Sequence, residues 1–193
     1  MRDYAALVVL GSWMAFLPVM LMRLPGLFRH TTRRNPKSRL GIAVVAVGFA
    51  LVWPGVSRTP PPFALAPAAG AVLGIVSAAI GLWAILTLGR QWSFQARLRT
   101  DHQLITRGPY HWVRHPVYSA FFGMLLATGL VFARSPWQLA GGALLYLAGT
   151  ALRMRAEEAL LKEQFGEAFD AYARATPALF PFPFSRSSNP LSP

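Results

Sequence analysis

Two groups of ionisable side chains flank a pair of adjoining uncharged runs in this chain. Arg114 and His115 stand directly before the run 116 to 133, and Glu157 and Glu158 lie a few residues beyond the run 135 to 152. Only "RSPW" turns the chain between the two runs. So short a connection makes the flanking helices antiparallel neighbours, which sets the carboxylate pair against the Arg-His pair. Carboxylates accept from an ammonium group or from hydroxyls, whereas a guanidinium grips a carboxylate through parallel N–H donors. The combination suits a zwitterionic ligand, with Tyr110 and Tyr118 as aromatic caps.

Other chemistries for these residues are less well supported. His111 and His115 are four apart, a spacing that can put two metal ligands on one helix face. Gly108-Pro109 and Pro116 interrupt any such helix, and no Glu follows His111, so no metal is expected. Ser93 and Ser119 lack the Gly-x-Ser-x-Gly elbow of a hydrolase. The chain has no cysteine, which removes disulfides, thiolate metal sites and a cysteine nucleophile. A structural reading stays open beside the functional one. Glu158 with Lys162, and Arg153 with Glu157, are i,i+4 pairs that could form a juxtamembrane ion lattice. The His-Pro turn opposite the glutamates favours a site, because convergent polar groups beside a membrane pocket have little structural use.

The elements that must hold these residues are membrane helices. The 193 residues are 54% hydrophobic and 13% charged, about half the charge of an ordinary soluble domain. Uncharged stretches cover 4 to 22, 40 to 57, 59 to 89, 116 to 133 and 135 to 152, each long enough for a spanning helix. The third opens with "TPPPFALAP", which is too proline-rich for helix, so its span is placed at 67 to 89. The first run is longer than a signal-peptide core and reads as a retained helix. The expected fold is an all-α polytopic membrane protein of about five transmembrane helices.

The net charge of +12 would suggest nucleic acid in a soluble protein, but its distribution gives another reason. Sixteen of the 19 basic residues fall between spans one and two, between three and four, or after five. The positive-inside rule then places the N-terminus outside and the C-terminus in the cytoplasm. A prokaryotic inner membrane is the expected location, with the site facing the cytoplasm and nucleic acid not a partner.

The chain divides into a three-span region, 1–89, and a chemically richer region, 90–193, which comprises the hairpin 116–152 and C-terminal helices. The two regions are expected to pack as one unit. Gly70, Gly74, Ala78 and Gly81 give small-residue spacing that reads as internal packing rather than a dimer seam, so a monomer is favoured. Pro18 is expected to kink the first helix. Gly108-Pro109 marks a turn, and Pro116 suits the first position of the fourth helix. After span five a helix carries Leu160, Leu161 and Phe165. Gly166 breaks it before a second amphipathic piece with Phe169 and Tyr172. "PFPFSRSSNPLSP" is an irregular tail whose Phe180, Phe182 and Phe184 could rest in the membrane interface.

Taken in order, Gly108-Pro109-Tyr110, Arg114-His115-Pro116-Val117-Tyr118, Glu157-Glu158-Ala159-Leu160-Leu161, Phe165-Gly166 and Tyr172 resemble the isoprenylcysteine carboxyl methyltransferase family. That family is related to the membrane phospholipid N-methyltransferases. "LGRQWS", from Leu88 to Ser93, is similar to the family's entry motif, and the likeness covers about residues 88 to 181. Ala120 stands where relatives often have Gly, and "RATPALFPF" where an Arg-Val-Pro-like ending is common.

The resemblance implies S-adenosylmethionine as methyl donor, held in a cytoplasm-facing pocket between the fourth and fifth helices and the C-terminal segment. It implies a lipidic or small hydrophobic acceptor that arrives from the bilayer: an isoprenylcysteine carboxylate, a phospholipid amine or a thiol. Arg114, His115 and Glu158 are the candidate catalytic residues. Gly108, Tyr110, His115, Pro116, Tyr118, Glu157 and Glu158 are the candidate cofactor-binding set. Either glutamate would take the donor's ribose or ammonium, and Arg114 or His115 its carboxylate or the acceptor. Tyr110 and Tyr118 would line the adenine or sulfonium region. The competing readings are an NADPH-dependent membrane reductase of the sterol-reductase type and a non-catalytic membrane scaffold.

Overall fold

The computed structural model describes residues 2–22, 33–34, 37–53, 65–89, 97–98, 103–133 and 135–181. Six α-helices account for most of them: α1 (Arg2–Met22), α2 (Lys37–Val52), α3 (Ala66–Leu88), α4 (Pro116–Phe132), α5 (Pro136–Phe165) and α6 (Glu167–Ala175). α1 and α3 are long and apolar enough to cross a membrane, and residues 39–52 and α4 form shorter apolar helices. α5 starts in the fifth uncharged run and continues without a break to Phe165, about 45 Å at 1.5 Å per residue. One helix therefore carries both the fifth uncharged run and the two glutamates. α1 runs unbroken through Pro18.

Two two-residue strands, β1 (Arg33–Arg34) and β2 (Arg97–Leu98), pair antiparallel and depart from a purely helical chain. The ladder joins the α1–α2 connection to the α3–α4 connection, so both lie at one end of the bundle.

α3 packs on α1 and α4, α4 also on α5, and α2 lies along α5. An apolar core forms where the uncharged faces meet, with Val9 and Phe16 of α1, Ile85 of α3, and Met124 and Ala127 of α4 all wholly buried. Aromatic edges knit four helices together. Phe121 of α4 meets Phe16 at 5.0 Å and Phe49 of α2 at 6.3 Å, and Phe49 meets Tyr146 of α5 at 5.8 Å. Such edge-on pairs add to the area buried. Trp13 Nε1 donates to Thr128 Oγ1 at 3.1 Å, which satisfies two polar groups in the apolar interior. The small residues of α3 are buried: a methyl at Gly81 would stand 2.5 Å from Phe16, and one at Gly70 2.8 Å from Val131. They serve internal packing.

Three local choices position the site. A 3₁₀ turn, Gly108–His111, opens with Gly108 at φ 61°, a left-handed value that glycine adopts freely. α4 starts at Pro116, whose ring presets the helical φ and whose missing N–H needs no partner there. α4 ends at Phe132 and α5 begins at Pro136, where Ser135 Oγ accepts from Gln138 N to cap α5.

Candidate functional site

The hairpin brings the two charged pairs together at its open end. Arg114 donates from Nε to Glu158 Oε1 at 2.9 Å, and its Nη2 lies 2.9 Å from the same oxygen. His115 Nε2 is also 2.9 Å from Glu158 Oε1. An ionised carboxylate can only accept, so Nε2 is the protonated ring nitrogen. Glu157 Oε2 accepts from Tyr118 Oη at 2.9 Å. The carboxylates are thus held separately, Glu158 by the turn before α4 and Glu157 by the first turn of α4.

α6 and the residues after it close over this turn. Arg114 Nη1 donates to the carbonyls of Ala173, at 2.9 Å, and Thr176. A guanidinium at the end of α6 satisfies carbonyls that have no partner within the helix and complements its dipole. Arg114 N donates to Pro177 O at 2.8 Å, His115 N to Ala178 O at 3.0 Å, and Ser119 Oγ to Leu179 O. Tyr172 Oη donates to Tyr110 O at 2.6 Å. Gly166 at φ 52° makes the sharp corner from α5 into α6 where the sequence places a break. The neighbouring Lys162 pairs with Asp170 at 3.0 Å. Glu158 is therefore not spent in an i,i+4 pair with Lys162, and its partners come from the opposite helix of the hairpin.

Burial alone would raise the Glu158 carboxyl. The hydrogen bond with His115, then the charges of His115 and Arg114, outweigh it and hold the group below its ordinary value of 4.5. A group lowered on folding stabilises the protein above its unfolded pKa and loses that contribution as the pH falls through the folded one. The thermal midpoint of the detergent-solubilised protein is therefore expected to drop on acidification below about pH 4.5. Glu158→Gln is expected to flatten that limb, as read by thermal melts in a pH series. An equal drop in the variant would assign the acid limb to other carboxyls.

Tyr110 is buried in the 3₁₀ turn, and its hydroxyl has no hydrogen-bond partner among the described residues. Burial, then the Glu157 charge and the Tyr172 and Tyr118 phenols, push it well above its ordinary value, so it is a neutral donor. A buried hydroxyl without a partner costs about 1–3 kcal/mol, and a ligand acceptor would relieve it. Gly108 and Pro116 shape the backbone: Gly108 sits against Thr87 and Trp83 of α3, and Pro116 is buried at the head of α4. His111 is exposed, while His115 is 5% exposed and committed to Glu158. Ala120 is 2% exposed and faces Gly81 of α3, which leaves room for its methyl. Phe180 rests edge-on against Phe122 at 5.8 Å, while Phe182 and Phe184 lie outside the described residues.

One residue of the site was read from the sequence only as a charge and a possible i,i+4 partner. Arg153, a turn before Glu157, is 7% exposed, and its Nε donates to Tyr118 Oη at 3.3 Å. Its guanidinium lies over the Tyr118 ring at 5.4 Å. A charged residue directly after an uncharged run looks cytoplasmic, and the signal missed was glycine at 41, which makes the space.

The fold is a helical bundle in which two helices are long and apolar enough to cross a membrane, with a paired-charge site at one end. The sequence profile of the isoprenylcysteine carboxyl methyltransferase family matches residues 70–163, which contain most of α3, the 3₁₀ turn, α4 and both glutamates. The chain belongs to that family. It is 30% identical over 115 residues to a probable protein-S-isoprenylcysteine O-methyltransferase of Oryza sativa subsp. indica, covering 58% of this chain and 60% of that one. With protein-S-isoprenylcysteine O-methyltransferase B of Arabidopsis thaliana it shares 33% identity over 101 residues, 51% of each chain. With the cobalt-zinc-cadmium resistance protein CzcN of Cupriavidus metallidurans it shares 31% over 168 residues, 81% of this chain and 69% of that one. The chain thus spans half to three-fifths of the length of these plant relatives.

Proposed function

We propose that the protein is an integral membrane methyltransferase that uses S-adenosylmethionine to methylate a lipidic or small hydrophobic acceptor. The observation that carries this reading is the meeting of Arg114-His115 and Glu157-Glu158 beside a buried, unpartnered Tyr110 hydroxyl. The donor bears an ammonium, a carboxylate and ribose hydroxyls. A site with carboxylates, a guanidinium, an imidazole and a free phenol donor matches those groups in kind.

S-adenosylmethionine, when bound, supplies an electrophilic methyl group on a sulfonium. The chain's own part is to bind, orient and exclude water. Glu157, aimed by Tyr118, takes the ammonium or ribose hydroxyls, and the Tyr110 phenol donates to an acceptor atom of the donor. Arg114 presents positive charge to a carboxylate with the His115 ring beside it, while Glu158 keeps both in place. Fixing two reactants in one orientation removes several kcal/mol of entropic cost, and a site roofed by α6 and residues 176–179 keeps water from the reacting groups.

We infer further that the bundle spans a bilayer five times, through α1 to α4 and the first part of α5, with the site at the cytoplasmic face. The concentration of basic residues at that end supports this. So does the β1–β2 ladder, which ties two basic connections to one end. Exposed tryptophans fit an interfacial belt at both ends, with Trp53 and Trp137 at one and the Trp83–Trp112 pair at the other.

Calorimetry of the detergent-solubilised protein is expected to show S-adenosylhomocysteine binding and no NADPH binding. Membranes containing the protein, given a donor with a labelled methyl, are expected to yield a labelled hydrophobic product. Tyr110→Phe is expected to weaken S-adenosylhomocysteine about tenfold, one hydrogen bond's worth. Its ligand-free thermal midpoint should hold or rise, since the lost hydroxyl has no partner among the described residues. NADPH binding in place of S-adenosylhomocysteine would overturn the reading in favour of a reductase. Donor binding with no labelled product in any lipid or thiol pool would leave a scaffold.

A further inference from the structure

We infer that α2, which lies outside the residues matched by the family profile, shapes the site through Gly41, Arg153 and Tyr118, with Arg153 as a positioning residue for Glu157. The inference rests on the reading of the site as a methyl-donor pocket. Four contacts carry it. A methyl built on Gly41 would stand 2.6 Å from Arg153 Cγ, so only glycine at 41 lets the arginine stem lie against α2. Arg153 then places its guanidinium over the Tyr118 ring at 5.4 Å and its Nε at 3.3 Å from Tyr118 Oη. Tyr118 Oη, accepting from that cation, donates its own proton to Glu157 Oε2 at 2.9 Å. Tyr146 Oη donates to Tyr118 O at 2.7 Å and holds the tyrosine backbone from α5.

The direction of the hydrogen bonds gives this chain its effect. Arg153 can only donate, so Tyr118 must accept from it and is left with one proton to give. That proton goes to Glu157, and the carboxylate has a single preferred orientation. An acceptor polarised by a cation is also a stronger donor. Glu157 is thus aimed by a residue that need not touch the ligand. Glu158 is held independently by Arg114 and His115, so the two carboxylates answer to different substitutions.

The test is S-adenosylhomocysteine affinity, measured by calorimetry in detergent for the full chain and for Arg153→Gln, Tyr118→Phe and the double variant. Each single substitution is expected to weaken binding about tenfold. The double variant should be no weaker than either, because both break one chain of contacts. Tyr118→Phe removes a single hydroxyl, so its affinity remains informative should Arg153→Gln fold poorly. Gly41→Ala, which crowds the arginine stem and Gly149 O together, is expected to weaken binding as well, and Arg153→Lys to recover part of the loss seen in Arg153→Gln. Wild-type affinity in Tyr118→Phe, or losses that multiply in the double variant, would overturn the inference while the donor-pocket reading stands. Failure of the unaltered protein to bind S-adenosylhomocysteine would overturn both.

Discussion

Glu158→Gln is expected to lower thermodynamic stability by about 3 kcal/mol and donor affinity by about a hundredfold, roughly 2.7 kcal/mol. A single oxygen, Oε1, receives both the Arg114 guanidinium and His115 Nε2 at 2.9 Å. A neutral amide keeps an acceptor but leaves the Arg114 charge without its counter-ion, and the cost of breaking such a pair is mostly that of the stranded partner. The Arg114 side chain is 14% exposed and that of Glu158 27%, so water recovers part of the loss and the lower end of the usual range applies. The loss spreads because Arg114 also bonds the carbonyls of Ala173 and Thr176 at the end of α6. Glu157→Gln serves as the contrast. It weakens one bond from a neutral phenol and leaves Arg114 in place, so it should reduce S-adenosylhomocysteine binding with little change in the melting midpoint. Thermal melts and calorimetry on the two variants read the split. Wild-type stability in Glu158→Gln would show that the ion pair is not what holds the turn.

The parts of this site legible in the sequence are those set by chain geometry. Proline cannot follow a helical residue comfortably but suits a first helical position, and α4 begins at Pro116. A connection as short as "RSPW" leaves antiparallel packing as the outcome, and from that the meeting of Arg114 with Glu158 follows. Gly166 announces the corner before α6 because a left-handed φ is costly for other residues. What escaped the sequence leaves no signature near the residue concerned. The acceptors for Arg114 on α6 are backbone carbonyls, which every residue carries. Lys162 turns to Asp170 only because α6 folds back at Gly166, whereas its spacing from Glu158 suggested an i,i+4 pair. Arg153 looked like one more cytoplasmic charge, since its burial depends on a glycine more than a hundred positions away on another helix. The β1–β2 ladder joins two connections too basic and irregular to suggest strands.

The same distinction decides which glycines can change. Gly149→Ala is expected to destabilise the protein by about 3 kcal/mol, at the upper end of the usual overpacking cost. Gly74→Ala, by contrast, is expected to be neutral or slightly stabilising. The sequence drew attention to Gly70 and Gly74, whose four-residue spacing is familiar from helix pairs. The tighter seam runs between α2 and α5 and uses glycines seven apart on each helix, Gly41 and Gly48 against Gly149 and Gly142. A methyl on Gly149 would stand 2.8 Å from both Gly41 O and Val45 N, backbone atoms that can yield only if α2 moves as a whole. A methyl on Gly142 would meet Gly48 O at 2.9 Å, so the contact recurs two turns away. Around Gly74 the nearest atoms are side-chain atoms of Val9, Ser12 and Ala127 at 3.4 to 3.7 Å, ordinary van der Waals contact. There the entropy gained by replacing a helical glycine, about 0.5–1 kcal/mol, has little to oppose it. Because α2 also supplies Gly41, displacing it reaches the site as well as the fold. Gly149→Ala should therefore lower both the melting midpoint and S-adenosylhomocysteine affinity, while Gly74→Ala leaves both near wild type. Equal melting midpoints for the two variants would mean that α2 and α5 are not in backbone contact.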